Sequence, residues 1–251
     1  MFSSDVSKVD EGRRLIEEAA ALDLTLRLLG GVALWLRASD EARFLFGREY
    51  ADLDFVAHKR QSRQLRDLLE GEGYQPERTF NAMHGAKRLL YYAPKREFQI
   101  DVFLDLFDMC HHLDLKDRLE VEQLTIPATE LLLTKLQIAE INRKDVNDTL
   151  MLLFDHEVVE VDGPFRLNGA RLDELCGADW GLYTTITDNL AKVLVMVPEC
   201  VNDEAVAATV SARIGQLQAR LGAAPKTVGW KLRAQVGRRK KWYQVPEEVV
   251  R

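Results

Sequence analysis

Hydrophobic and polar positions in this chain follow two periods, one helical and one strand-like, and the places where they change mark its elements. Apolar residues recur at helical spacing over residues 9–21, and a short continuous apolar run over 24–29 then predicts a buried strand. Gly30-Gly31 follows as a turn, and helical spacing resumes from Val32 to Ala38. Residues 60–71 predict a second helix, with Leu65, Leu68 and Leu69 on one face and charges opposite. Two or three strands are expected over 79–107, among them the runs 88–92 and 98–104. Pro127 fits the first turn of a helix running to about Asn142. The polar stretch 157–177 predicts a short hairpin or loop, and from Trp180 onward the spacing is helical, through Leu194 and again over 203–221. The pattern as a whole predicts an α/β (α+β) protein: a small mixed-sheet core flanked by helices, then a mainly helical C-terminal part.

Within this pattern the run Asp52-Leu53-Asp54-Phe55 stands out, because two acids interrupt what otherwise reads as a strand. Alternation along a strand places Asp52 and Asp54 on one side and Leu53 and Phe55 on the other. Two carboxylates held side by side repel unless a cation sits between them, and Mg²⁺ takes one or two carboxylates with waters and phosphates completing its shell. Alone, such a pair equally describes a solvated edge-strand face. Three neighbours change the picture. Gly30-Gly31 joins a strand to a helix start, where backbone N–H groups can approach a phosphate without a Cβ in the way. Asp101 lies at the centre of the apolar run 98–104, where a carboxylate is costly unless exposed on one face or neutralised by a cation. Arg48, four residues before Asp52, is a candidate phosphate-binding fork.

Strand, Gly-Gly, helix, an Asp-x-Asp on the next strand and a third Asp on a later strand together resemble the nucleotidyltransferase superfamily that shares its core with the beta-type DNA polymerases. The likeness is closer to its small bacterial branch, which includes abortive-infection toxins of toxin–antitoxin systems. It rests on Gly30-Gly31-Val32-Ala33, on Arg48-Glu49-Tyr50-Ala51-Asp52-Leu53-Asp54-Phe55 and on Ile100-Asp101-Val102, and it continues through residues 126–136 to Asn142-Arg143-Lys144-Asp145-Val146-Asn147-Asp148. The resemblance implies Mg²⁺ (or Mn²⁺) at a two-metal site on Asp52, Asp54 and Asp101, which are also its catalytic residues. It further implies nucleotide binding by Gly30, Gly31, Arg48 and Lys135, and transfer of NMP from an NTP to an acceptor hydroxyl on RNA or a tRNA end, a protein or a small molecule. A cognate antitoxin is an implied partner. Two residues depart from the family pattern: Val32 and Tyr50 stand where Ser or Thr is common. They point to the alternative, a catalytically silent nucleotide- or RNA-binding protein on the same fold, beside a third reading as an interaction module neutralised by a partner. From the residues alone, Lys135 is equally a snorkelling lysine beside a core face. Arg143, Lys144, Asp145 and Asp148 read as helix-end charges or structural ion pairs.

Length and composition agree. With 251 residues, 47% apolar and 29% charged, the chain has room for a catalytic core over 1–125, a helical extension over 126–156 and a C-terminal module over 157–251. Cys110, Cys176 and Cys200 are widely spaced, so no disulfide framework is expected, and Cys110-His111-His112 lacks the second ligand pair a zinc site needs. With no signal-like segment and no membrane span in the sequence, a cytoplasmic protein is expected. Charge is uneven. Between Lys226 and Tyr243 lie seven basic residues and no acid, so the formal charge of −6 divides into +7 there and −13 elsewhere. Trp230, Trp242 and Tyr243 are interleaved with these cations, a combination used to bind single-stranded nucleic acid and equally one that can dock on an acidic body.

Overall fold

In the computed structural model, residues 3–94 and 97–246 are described. The excluded pair 95–96 falls inside the stretch expected to hold strands. The chain forms two compact units, one of residues 1–36, 48–108 and 112–127 and the other of 37–47, 109–111 and 128–251. The fold is α+β, with a five-stranded mixed sheet, flanking helices and a helical C-terminal part.

The first unit opens with α1 (Ser3–Ala21) and β1 (Leu26–Leu29), and α2 (Gly30–Arg37) begins directly at the first glycine. Gly30, at φ +70°, makes the expected turn at the junction, and Gly31 stands in the first turn of the helix. Beyond α3 (Asp40–Phe46), a short helix that belongs to the second unit, come β2 (Leu53–Ala57), α4 (Ser62–Gly71) and β3 (Gln75–Pro76). Where the sequence suggested strands from residue 79, the chain first forms α5 (Arg78–His84), capped by the Glu77 side chain, and only then β4 (Arg88–Tyr92) and β5 (Gln99–Leu104). A small hairpin of β6 (Leu106–Asp108) and β7 (His112–Asp114) follows.

The sheet order is β1-β2-β5-β4-β3, with β2 and β5 parallel and the other pairs antiparallel. Its register sorts side chains onto two unlike faces. Leu26, Leu28, Phe55, Leu53, Val102, Ile100, Leu89 and Tyr91 share one face, and each is at most 1% exposed. Leu15, Ile16 and Ala19 of α1 and Leu65 and Leu69 of α4 supply further buried apolar surface to this unit. The opposite face carries Arg27, Asp54, Asp101 and Arg88 among apolar neighbours. One face is core and the other is equipped for polar chemistry.

The second unit is built on α6 (Ala128–Leu136), α7 (Arg143–Asp155), α8 (Gly169–Ala178), α9 (Trp180–Cys200), α10 (Glu204–Ala223) and α11 (Val228–Val236), with the short strands β8 (Glu157–Val159) and β9 (Arg166–Asn168) between α7 and α8. The helix expected from Pro127 to Asn142 ends at Leu136. A distant residue meets the chain there: Asn189 Nδ2 donates to the carbonyl of Leu136, the last helical residue, at 2.8 Å and to that of Ile138, two residues past it, at 2.7 Å. Asn142 then caps α7, its side chain accepting from the Lys144 and Asp145 amides. The 157–177 stretch is likewise not a hairpin: β8 and β9 pair in parallel, and Asn168 caps a ten-residue α8. Helix α3 is held to α7 by Ser39, whose amide and hydroxyl both donate to the Asp155 carboxylate, at 2.6 and 2.7 Å. Leu150, Leu153, Ile186, Leu190, Val193 and Ile214 are at the centre of this unit's core. Among the described residues no helix is long and apolar enough to cross a membrane.

Candidate functional site

The polar face of the sheet brings two of the three predicted acids together. Asp54 on β2 lies in register with Asp101 on β5 and with Leu29 on β1, so the two carboxylates project from adjacent parallel strands on the same side. Neighbouring strands lie about 4.8 Å apart, close enough for strong repulsion between two anions. Asp52 sits one residue before β2, half-buried like Asp54, and not within the strand as the sequence suggested.

Asp101 is 4% exposed, and both of its oxygens have partners. Arg88 Nε donates to Oδ1 at 2.6 Å and Gln99 Nε2 to Oδ2 at 2.8 Å. Arg88 comes from the antiparallel neighbour β4, and its guanidinium lies over the rings of Phe103 and Phe80 at 4.9 and 5.5 Å. The expected neutralising cation of the buried acid is thus in place, and it is an arginine of the same sheet. Neither Arg88 nor Gln99 was identified from sequence. The signal was present, because antiparallel pairing of 88–92 with 99–103 puts Arg88 diagonally across from Asp101.

The glycines serve packing against these groups. Gly30 has φ +70°, and a Cβ there would stand 2.0 Å from Asp54 Oδ2. A Cβ on Gly31 would stand 2.1 Å from Tyr50 Cδ1 and 3.2 Å from an Arg48 Nη. Tyr50 is buried, and the Arg48 guanidinium lies over its ring at 4.5 Å while Nη1 donates to the Glu49 carbonyl. The two departures from the family pattern therefore have structural uses, Tyr50 as a platform for Arg48 and Val32, 1% exposed, as core. The first unit gathers Gly30, Gly31, Arg48, Asp54 and Asp101 around β1, β2 and β5.

Lys135 falls in the second unit, on α6. It does not snorkel: its side chain is 12% exposed, and Nζ stands 2.9 Å from Asp148 and 3.5 Å from Asp145, both on α7. Asp145 and Asp148 are the partners of a buried lysine rather than solvated helix-end charges. In the basic segment the aromatic residues turn inward. Trp230 packs edge-on to Tyr183 and Trp242 to Trp180, while Trp242 Nε1 donates to Thr185 Oγ1 at 3.0 Å. Lys226 donates to the Leu221 and Ala224 carbonyls at the end of α10, and Gln244 N to the Cys110 carbonyl.

A profile of the family described as uncharacterised nucleotidyltransferase matches residues 3–167, about two thirds of the chain. The chain belongs to this family. No curated protein matches it. As a nucleotidyltransferase-family member it has a nucleotide as the expected substrate class, and the matched span contains the strand–Gly-Gly–helix, Asp52, Asp54, Asp101, Lys135 and both lysine partners, while α8 to α11 lie beyond it. Among the described residues no three His, Cys, Asp or Glu side chains converge as a ready-made ligand set.

Proposed function

We propose that the protein moves an NMP from an NTP to an acceptor hydroxyl, at the polar sheet face around Asp54 and Asp101. The observation that carries the reading is the register of these acids on adjacent parallel strands, with a glycine-started helix pressed onto Asp54, in a chain of the nucleotidyltransferase family. The donor set fits a hard cation, because half-buried carboxylates at Asp52 and Asp54 and a third at Asp101 offer only oxygen. In this reading Asp52 and Asp54 would hold two Mg²⁺ ions, or Mn²⁺ in their place, and Asp101 would complete the second site. When bound, the metal supplies neutralisation of phosphate charge and stabilises the attacking and leaving oxygens. Asp101 receives the proton of the acceptor hydroxyl as its oxygen bonds to the α-phosphorus, and pyrophosphate leaves. Arg48, held over Tyr50, forks onto phosphate oxygens, and the start of α2 at Gly30 and Gly31 directs backbone N–H groups at the triphosphate.

The finer reading is that of the abortive-infection branch on a DNA polymerase beta-like core, in which the protein is a toxin with a cognate antitoxin and modifies RNA or a tRNA end, a protein or a small molecule. A second reading, nucleotide binding without turnover, is favoured by one observation: Arg88 and Gln99 already occupy both oxygens of Asp101. One experiment separates the two. The purified chain is incubated with Mg²⁺ and each α-labelled NTP, with total RNA, with an aminoglycoside and with no acceptor. Label on RNA, on the aminoglycoside or on the protein itself establishes transfer and its acceptor class. NTP binding with no label anywhere supports the silent reading.

A further inference from the structure

Helix α11 is amphipathic in the wrong sense for a helix that only completes a core. At about 100° per residue, positions 228, 232 and 236 fall within one narrow arc. They are Val228, Leu232 and Val236, which are 74%, 59% and 42% exposed. The inward arc carries Trp230, Arg233 and Ala234, all half-buried. Arg233 is spent internally: its guanidinium lies 4.6 Å over Trp180 and donates to the Gly237 and Lys240 carbonyls. Beside the aliphatic stripe stand Lys231, and past the helix end Arg239, Lys240 and Lys241, all exposed. No acid occurs between Lys226 and Tyr243. Outward, then, this segment offers branched aliphatics at i, i+4 and i+8 rimmed by cations, on a chain whose remaining charge is −13.

Three kinds of ligand recognise cations, and the geometry sorts them. Single-stranded nucleic acid needs aromatic platforms for its bases, and the tryptophans of this segment are turned inward against Tyr183, Trp180 and Thr185. A lipid surface favours aromatic residues at the headgroup level, and the stripe has none. A protein helix laid along α11 needs what is present, an aliphatic row for its own apolar face and cations for acidic flanks. We propose that the outer face of α11, Val228, Leu232 and Val236 with Lys231 and Lys240, docks an acidic amphipathic helix of a partner protein.

The test is photo-crosslinking in the producing cell, using the full chain with p-benzoylphenylalanine in place of Leu232 and mass spectrometry of the adducts. The proposal expects a protein adduct whose cross-linked peptide is net acidic, with apolar residues at helical spacing. A synthetic copy of that peptide should bind the purified chain and lose at least tenfold in affinity with Leu232→Asp, and again when salt rises from 50 to 300 mM. Circular dichroism of Leu232→Asp, unchanged at so exposed a position, separates lost docking from lost folding. Adducts confined to lipid or RNA, a neutral or basic peptide, no adduct, or a peptide whose affinity ignores Leu232→Asp would each overturn it.

Discussion

Gly30 shows how closely the candidate site is fitted at the level of single residues. Its φ of +70° is a conformation L side chains rarely adopt, and the space its Cβ would fill belongs to the Asp54 carboxylate. Gly30→Ala should therefore cost about 1–3 kcal/mol of stability from backbone strain and close contact together. It should also displace Asp54, so nucleotide binding should fall further than stability does. Urea denaturation followed by NTP titration of the folded variant checks both; unchanged stability would mean that the strand–helix junction relaxes freely. Arg88 is the other fitted residue. Replacing it with Met leaves a carboxylate at Asp101 that is almost wholly out of solvent and has only Gln99 for a partner, a substitution that should destabilise the sheet by several kcal/mol.

At the scale of elements, α6 and α7 are joined by a buried charge cluster of one lysine and two aspartates. Lys135→Met keeps the volume and removes the cation, leaving Asp145 and the fully buried Asp148 without it. A loss of about 3–5 kcal/mol is expected in urea unfolding, with partial recovery when Asp148→Asn is added. The end of α7 titrates. Burial, with the Arg37 charge adding to it, pushes the His156 imidazole down to about 4, against a resisting pull from Asp155. The unfolded chain binds this proton near pH 6.5 and the folded one only near 4, so stability is full above 6.5 and is lost as pH falls through that window. Between pH 7.5 and 5 this one group should cost about 2 kcal/mol. His156→Asn, which keeps a donor toward the Leu152 carbonyl, should remove that part of the acid sensitivity, read as a smaller shift of the urea midpoint. The elements legible in the sequence were those whose signals are local. β1, β2 and β5 are apolar runs with an acid or a turn beside them, and α9 and α10 are long periodic segments. The stop at Leu136 was not legible, because Asn189, more than fifty residues away, accounts for it. The short α3 depends on Asp155 holding its cap residue Ser39, and the parallel pairing of β8 with β9 leaves no turn signature. At the site the same division holds: Asp54 and Asp101 announced themselves as acids in apolar runs, whereas Arg88 and Gln99 become visible only when strand pairing is known.

For the whole molecule, the nucleotidyltransferase-family profile reaches residue 167 and covers the sheet, the acids and the lysine cluster, while the last four helices lie outside it. Those helices carry the inward-facing aromatic residues and the outward aliphatic stripe, so chemistry and docking are assigned to different parts of the chain. On the proposed mechanism Asp54 is a ligand in NMP transfer. That role is tested most directly by following α-labelled and γ-labelled NTP in parallel with Mg²⁺, using wild type and Asp54→Asn, with circular dichroism of both. Wild type is expected to fix α-label on an acceptor and release γ-label as pyrophosphate, while a fully folded Asp54→Asn loses transfer by about a hundredfold or more. Transfer by Asp54→Asn at the wild-type rate, or γ-label fixed on the acceptor in place of α-label, would contradict it.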